Sequence, residues 1–163
     1  MYEAFYKLRD KPFRLSPDPR FFFNSRGHKR ALAYLRYGVK QGEGFIIITG
    51  DVGTGKTTLV QTLLRSLDKE NIVAAQIVTT QLQADDLVRL VAASFGLAYQ
   101  RVSKATVLKS LEIFFQACVK EGKRVLLIVD EAQALPRKAI EELRMLSNFQ
   151  MGGRTLLQAI LRA

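Results

Sequence analysis

The stretch that most restricts this chain is Phe45-Ile46-Ile47-Ile48-Thr49, followed by Gly50-Asp51-Val52-Gly53-Thr54-Gly55-Lys56-Thr57-Thr58. An apolar run of strand length with no polar alternation predicts a short strand buried on both faces, which requires helices above and below a sheet. Beyond the glycines, Leu59, Val60, Leu63, Leu64 and Leu67 recur at helical spacing. The octapeptide between strand and helix fits G-x-x-x-x-G-K-[ST], a pattern that arises by chance somewhere in a chain of this length about 0.6% of the time. Its position between a buried strand and an amphipathic helix makes a plain glycine turn a poorer reading still.

The residue types have a physical reason. Gly50, Gly53 and Gly55 accept backbone conformations that other residues resist. They let the amides of Gly50, Asp51, Val52, Gly53, Thr54 and Gly55 close around phosphate oxygens. The helix that follows aims its free amides and its dipole at the same anion. Lys56 would carry its charge to the β- and γ-phosphates, and the Thr57 hydroxyl would ligate Mg²⁺. Thr58 either adds a hydroxyl on the α-phosphate side or is simply a polar residue of the first helical turn.

A second motif supplies the acids. Val125-Leu126-Leu127-Ile128-Val129 reads as a central strand, and Asp130-Glu131 stands at its end. An acid after a strand is often only a helix cap. With the phosphate loop upstream, Asp130 becomes a candidate for the Mg²⁺ shell, and Glu131 for orienting and polarising an attacking water. The double acid suits ATP hydrolysis by water. No Asn-Lys-x-Asp segment is present to read guanine, and small-molecule kinases do not generally need the Glu.

Strands and helices alternate along the rest of the chain. Helices are expected at 26–41, behind a capping Ser25, and from Lys56 onward. A third is expected around Leu87 to Phe95, with Asp85 and Asp86 in its first turn. Two more are expected across Val107 to Cys118 and from Pro136 at N1 through Phe149. Strands are expected at 45–49, 72–78, 125–129 and 155–161. This is an α/β pattern with a parallel sheet. Residues 1–24 form a Pro-rich lead crowded with aromatic rings, which are expected to pack onto the domain. Other candidates are softer. His28 is a surface residue or a nucleotide neighbour, and Pro12-Phe13 is a packing anchor or part of an adenine pocket. Cys118 reads as a small core residue. Gln133, Arg144 and Asn148 follow the second motif without an assigned role.

Composition limits the partners. At 163 residues with 48% hydrophobic content the chain suits one domain with a real core. A single cysteine excludes a disulfide scaffold. The longest aliphatic run, Val125 to Val129, is far too short to span a bilayer, and Met1 to Lys7 lacks the apolar core of a signal peptide, so a cytosolic protein is expected. The net charge of +10 points to an anionic partner. Residues 1–40 and 101–163 carry that excess, whereas 41–100, which hold the phosphate loop, are net negative.

A whole-chain resemblance joins these readings. Met1-Tyr2-x-x-Phe5-Tyr6, Lys11-Pro12-Phe13, Ser16-Pro17-Asp18-Pro19, Phe22-x-x-Ser25-x-x-His28 and Ala31-x-Ala33-x-Leu35 resemble the start of AAA+ ATPases of the general secretion pathway protein A type. Tyr37-Gly38, Thr80-Gln81-Leu82, Asp130-Glu131-Ala132-Gln133 and Glu142 to Phe149 fit the same family. The likeness is greatest to members encoded with exosortase/PEP-CTERM and exopolysaccharide loci. Asp51 stands where the family usually has Glu.

The resemblance implies a three-layer P-loop NTPase with strand order 5-1-4-3-2. Four of the five strands fall within the chain, and the fifth strand, helical lid, sensor residues and arginine finger would follow Ala163. The expectation is therefore one incomplete AAA+ domain over 1–163, with a lead at 1–24 and a core at 25–163. The resemblance further implies ATP and Mg²⁺ as ligands, ATP hydrolysis, and a homo-oligomer in the full-length form. It implies membrane-associated secretion or export components as partners, with the protein in the cytoplasm or peripheral at the inner membrane. Two alternatives stand beside this. One is an ATP-dependent DNA-binding module like the transposition-target ATPases, which the basic lead would serve. The other is a truncated nucleotide-binding remnant that hydrolyses poorly.

Overall fold

The computed structural model describes residues 26–42, 44–49, 56–67, 71–79 and 87–163. Ahead of the acidic motif lie α1 (Arg26–Gln41), β1 (Phe45–Ile48), α2 (Lys56–Leu67), β2 (Ile72–Val78), α3 (Leu87–Ser94) and α4 (Lys104–Lys120). β3 (Arg124–Asp130) carries that motif. A 3₁₀ turn at Ala132–Ala134, α5 (Arg137–Ser147), β4 (Gln150–Met151), β5 (Arg154–Thr155) and β6 (Leu157–Arg162) follow.

Among the described residues, the main sheet has four parallel strands in the order β1-β6-β3-β2. Each crossover between neighbours in the chain therefore carries helices, and the helices split into two layers. Side chains alternate sides along β3. Leu126 and Ile128 pack with Leu32, Leu35 and Val39 of α1 and with Leu59, Val60, Leu63 and Leu67 of α2. Val125, Leu127 and Val129 pack on the other face against α3, α4 and α5, around Val91, Leu111, Phe115 and Leu143. Every residue from Val125 to Asp130 is buried, so β3 is the centre of the core.

Local chemistry sets several boundaries. Ser103 caps α4, its hydroxyl oxygen accepting from the Thr106 amide at 3.2 Å. Gly38 lets α1 lie close to β1, since a Cβ there would sit 2.8 Å from Ile46 Cδ1. The Gly38 carbonyl then accepts from the buried Gln158 side chain at 2.8 Å, which ties α1 to β6.

Four expectations change. β1 is not buried on both faces, because Phe45 is 39% and Ile47 66% exposed. It lies at the edge of the described sheet, beyond the reach of the α3–α5 layer, so only Ile46 and Ile48 meet a helix. Pro136 is the residue before α5, extended at φ −67° and ψ 155°, instead of its first helical residue. α5 ends at Ser147, so Phe149 packs from outside it, and Ala139 takes the buried position while Ile140 is exposed. The strand expected at 155–161 divides, because Gly152 and Gly153 at positive φ turn the chain into a β4–β5 hairpin before β6 begins. Ser25, Asp85, Asp86 and the lead at 1–24 lie outside the described residues.

Candidate functional site at the carboxyl edge of the sheet

Parallel strands bring their carboxyl ends to one edge, and the register fixes what meets there. Ile48 of β1, Arg162 of β6, Asp130 of β3 and Val78 of β2 stand in one row across the sheet. In a sheet of this kind that edge is where ligands bind. β1 ends at Ile48, and α2 begins with Lys56 and Thr57, so the phosphate-loop pattern joins a strand and a helix as its sequence implies. The loop itself, Gly50, Asp51, Val52, Gly53, Thr54 and Gly55, lies outside the described residues, as do the side chains of Lys56, Thr57 and His28. Thr58 is partly buried in the first turn of α2, its carbonyl accepting from the Thr62 hydroxyl at 2.8 Å.

Asp130 is 3% exposed at the end of β3. One carboxylate oxygen, Oδ2, accepts from the Gln76 side-chain amide of β2. The other, Oδ1, lies 2.7 Å from Nη2 of Arg162, itself largely buried. That contact is a charge pairing without the alignment of a hydrogen bond. Thr79, directly after β2, is also buried. Its hydroxyl reaches the carbonyl oxygens of Asp130 at 3.1 Å and Glu131 at 2.5 Å, and its amide donates to the Asp130 carbonyl at 3.3 Å. β2 thus clamps the backbone just where β3 stops.

Glu131 is exposed, and its backbone turns into the left-handed region at φ 56° and ψ 42°. A non-glycine residue there is strained, and such strain gathers at sites of chemistry. The turn sends the Glu131 carboxylate out of the sheet while the carboxylate next to it stays inside. Its Oε2 accepts from the Gln133 side-chain amide at 2.5 Å. The two adjacent acids therefore have different surroundings: one desolvated and paired with a cation, the other open to water.

The structure brings Asp130 and Glu131 to the same sheet edge at which β1 ends ahead of α2. It also shows partners that sequence reasoning missed. Gln76, Thr79 and Arg162 close the site around Asp130, and Gln133 acquires a role as the Glu131 partner. The sequence offers little signal for them: Arg162 follows Leu157 to Leu161, a stretch already interrupted by Gln158, and Gln76 is internal to its strand. Cys118 is 7% exposed in the core, and burial first, then the nearby Glu121, pushes its thiol pKa up, as expected of an inert packing residue.

A family profile of the AAA domain matches residues 39–163. The chain belongs to the AAA domain family. Its fold is that of the AAA+ P-loop NTPases: a parallel sheet covered by helices on both faces, with the loop after the first strand and the acids after a central strand. The chain is 38% identical over 162 residues to general secretion pathway protein A of Aeromonas hydrophila, and it spans 29% of that relative's length. Among solved structures, this AAA domain resembles Cdc6p of Pyrobaculum aerophilum with a TM-score of 0.65 at 16% identity, over 93% of this chain and 41% of that one. It resembles the ORC2 protein of Aeropyrum pernix in its ADPNP–ADP complexes with a TM-score of 0.62 at 19% identity, over 92% and 43% of the two chains. Drosophila ORC bound to DNA matches with a TM-score of 0.53 at 16% identity, over 85% and 40%.

AAA+ domains bind nucleotide, and Mg²⁺ commonly accompanies it. Tested against that expectation, the described half of the site does not fit a divalent cation as it stands. Both oxygens of Asp130 are engaged, one by a guanidinium and one by an amide.

Proposed function

We propose that this chain binds ATP at the carboxyl ends of β1 and β3 and hydrolyses it, as the ATPase module of a secretion or exopolysaccharide-export apparatus. The observation that supports hydrolysis best is the pair Asp130–Glu131, split by the left-handed turn at Glu131 into one buried and one solvent-facing carboxylate. The solvent-facing acid is the one suited to hold a water against a phosphate. The amides of Gly50 to Gly55 and the dipole of α2 would bind the phosphate chain. Lys56 would neutralise its outer oxygens. Thr57 and, once Arg162 gives way, Asp130 are the residues proposed to face Mg²⁺, which when bound would neutralise phosphate charge. Thr79 and Gln133 would hold Glu131 in place, through its backbone and its carboxylate respectively.

The secretion setting rests on the likeness to general secretion pathway protein A. On that reading the longer protein oligomerises and meets membrane-associated components at the cytoplasmic face of the inner membrane. The exosortase-locus relationship belongs to the same proposal and rests on the N-terminal motif block. Among the described residues, no helix is long and apolar enough to cross a membrane.

Phosphate release from ATP by the 163-residue chain tests the proposal, with Glu131→Gln as its control. Turnover by the native chain that falls by about 10²-fold or more in the variant is expected from loss of a positioned base. No turnover by the native chain, or equal turnover by both, would refute it.

A second reading, ATP-dependent DNA binding, has one observation of its own. Lys40, Lys123, Arg124 and Arg154 line a cleft of about 610 Å³ at the opposite edge of the sheet. A relative in fold, Drosophila ORC, is seen bound to DNA. The cleft is less free than its composition implies, since Lys123 pairs with Glu121 at 3.1 Å and Arg124 donates to the Val39 carbonyl at 2.6 Å. A salt-dependent gel shift decides it: no retention of duplex DNA at about 50 mM salt and micromolar protein removes this reading.

A further inference from the structure

The contact that the proposed function leaves unexplained is the one that closes Asp130. Arg162 and Asp130 are direct partners in the β3–β6 register, each the last residue of its strand. Arg162 is at the same time the register partner of Ile48, the residue that ends β1 ahead of the phosphate-loop pattern. The backbone there is pinned, because the Ala163 amide donates to the Ile48 carbonyl at 3.0 Å. The guanidinium therefore stands between the strand that leads to the phosphate loop and the carboxylate proposed to face the metal. It is not a surface arginine leaning inward: its side chain is 14% exposed, and that of Asp130 is 5% exposed.

We infer that Arg162 is a built-in counter-cation for Asp130 that competes with the divalent ion, so that this chain's hold on nucleotide depends little on Mg²⁺. A buried carboxylate needs a cation, and a guanidinium already seated on it repels and crowds a second, divalent one. With Oδ2 taken by Gln76, Oδ1 is the remaining face, and Arg162 covers it at 2.7 Å. A divalent ion that approaches Asp130 must work against the guanidinium's charge or displace it, and that cost subtracts from whatever the ion contributes to nucleotide binding. The contact is made through one nitrogen only, and a bidentate fork would hold the pair more tightly. This pair can open, at a cost that the ion must meet. A purely structural ion pair would add to stability and leave the coupling between metal and nucleotide untouched.

The inference rests on the ATP-binding reading, and the test separates the two. A fluorescent ATP analogue is titrated into the native chain, once in EDTA and once in excess Mg²⁺, with the same pair of titrations on Arg162→Gln and on Arg162→Lys. The native ratio of the two dissociation constants is expected to stay below about threefold. Arg162→Gln frees Asp130, and its ratio is expected to rise into the range of about 5- to 150-fold typical of coupled ligands. Arg162→Lys, which keeps a cation without the planar head, is expected to lie between; if the Gln variant fails to fold by circular dichroism, the Lys variant decides. A native ratio above about tenfold would overturn the inference, and so would a folded variant that keeps the native ratio. Both outcomes leave ATP binding standing. Absence of binding by every chain in both buffers would overturn the ATP reading, and the role of Arg162 with it.

Discussion

Glu131 and Gln133 hold each other across a single turn, the Gln133 amide donating to Glu131 Oε2 at 2.5 Å while Glu131 itself sits in the left-handed region. Both side chains are exposed. The pair therefore fixes the direction of a carboxylate more than it adds to stability. Gln133→Ala is expected to lower ATP turnover by up to about 100-fold, the scale of a misplaced catalytic group. It should change unfolding free energy by less than about 0.5 kcal/mol, as exposed substitutions usually do. Phosphate-release kinetics together with a denaturant melt check both halves.

Thr79 provides the opposite case, a buried hydroxyl whose role is structural. Thr79→Val keeps the shape and removes the donor shared by the Asp130 and Glu131 carbonyls. Both carbonyls keep a backbone donor, the Thr79 amide on Asp130 and the Ala134 amide on Glu131, so the loss is that of one hydrogen bond, about 0.5–1.5 kcal/mol. A chain of this size should then lose roughly 2–4 °C in melting temperature per kcal/mol. Thermal melts followed by circular dichroism would show it, and an unchanged melt would mean that the hydroxyl is dispensable.

Away from the site, the Lys104 ammonium pairs with the buried carboxylate of Glu142, linking the start of α4 to α5. Glu142 is 5% exposed, and its Oε2 has no hydrogen-bond partner among the described residues. Lys104→Met would strand a buried charge. Because the Lys104 side chain is 39% exposed, the cost should fall below the roughly 3–5 kcal/mol typical of fully buried pairs, at about 2 kcal/mol. Adding Glu142→Leu should recover most of that loss, since an apolar pair can replace a buried ionic one. A double-mutant cycle by urea unfolding reads the coupling directly.

Cys118 gives a pH prediction. Burial raises the thiol pKa in the folded chain above its unfolded value, with Glu121 adding to the rise. The thiol should therefore be protonated and slow to alkylate at neutral pH until the chain is unfolded with denaturant. The sign for stability follows from the same shift: the unfolded state releases this proton at lower pH than the folded one. Stability should be unaffected by Cys118 at neutral pH and should fall as pH rises through the alkaline thiol range. Cys118→Ala should blunt that alkaline decline, as measured by melts across the range.

Much of this architecture is legible in the order of the residues. The ranges of α1 and β2 follow from periodicity and from the glycines that end α1, and the burial of β3 follows from five consecutive apolar residues. β1 has the same kind of composition, yet its outer face is exposed. An apolar run cannot show whether a strand lies at the centre or the edge of a sheet, which depends on how far the helical layer extends. The β4–β5 hairpin is hidden for a related reason, since Gly152-Gly153 signals a break without saying that the chain pairs with itself across it. At the site, Asp130 and Glu131 are visible as a motif. Arg162, Gln76 and Thr79 are not, because what joins them is a register across three strands far apart in the chain. The left-handed backbone of Glu131 carries no signal in an acidic side chain.

On the proposed function, the carboxyl edge of this sheet holds ATP through the loop that ends in Lys56. Equilibrium titration of ATP into the native chain and into Lys56→Ala tests it most directly. The native chain is expected to bind with a dissociation constant in the range of about 1 μM to 1 mM. Lys56→Ala should weaken that binding by about tenfold or more, since a hydrogen bond between charged groups is worth about 1.5–3 kcal/mol. Equal affinity in the two chains, or no binding by the native chain, would contradict the account.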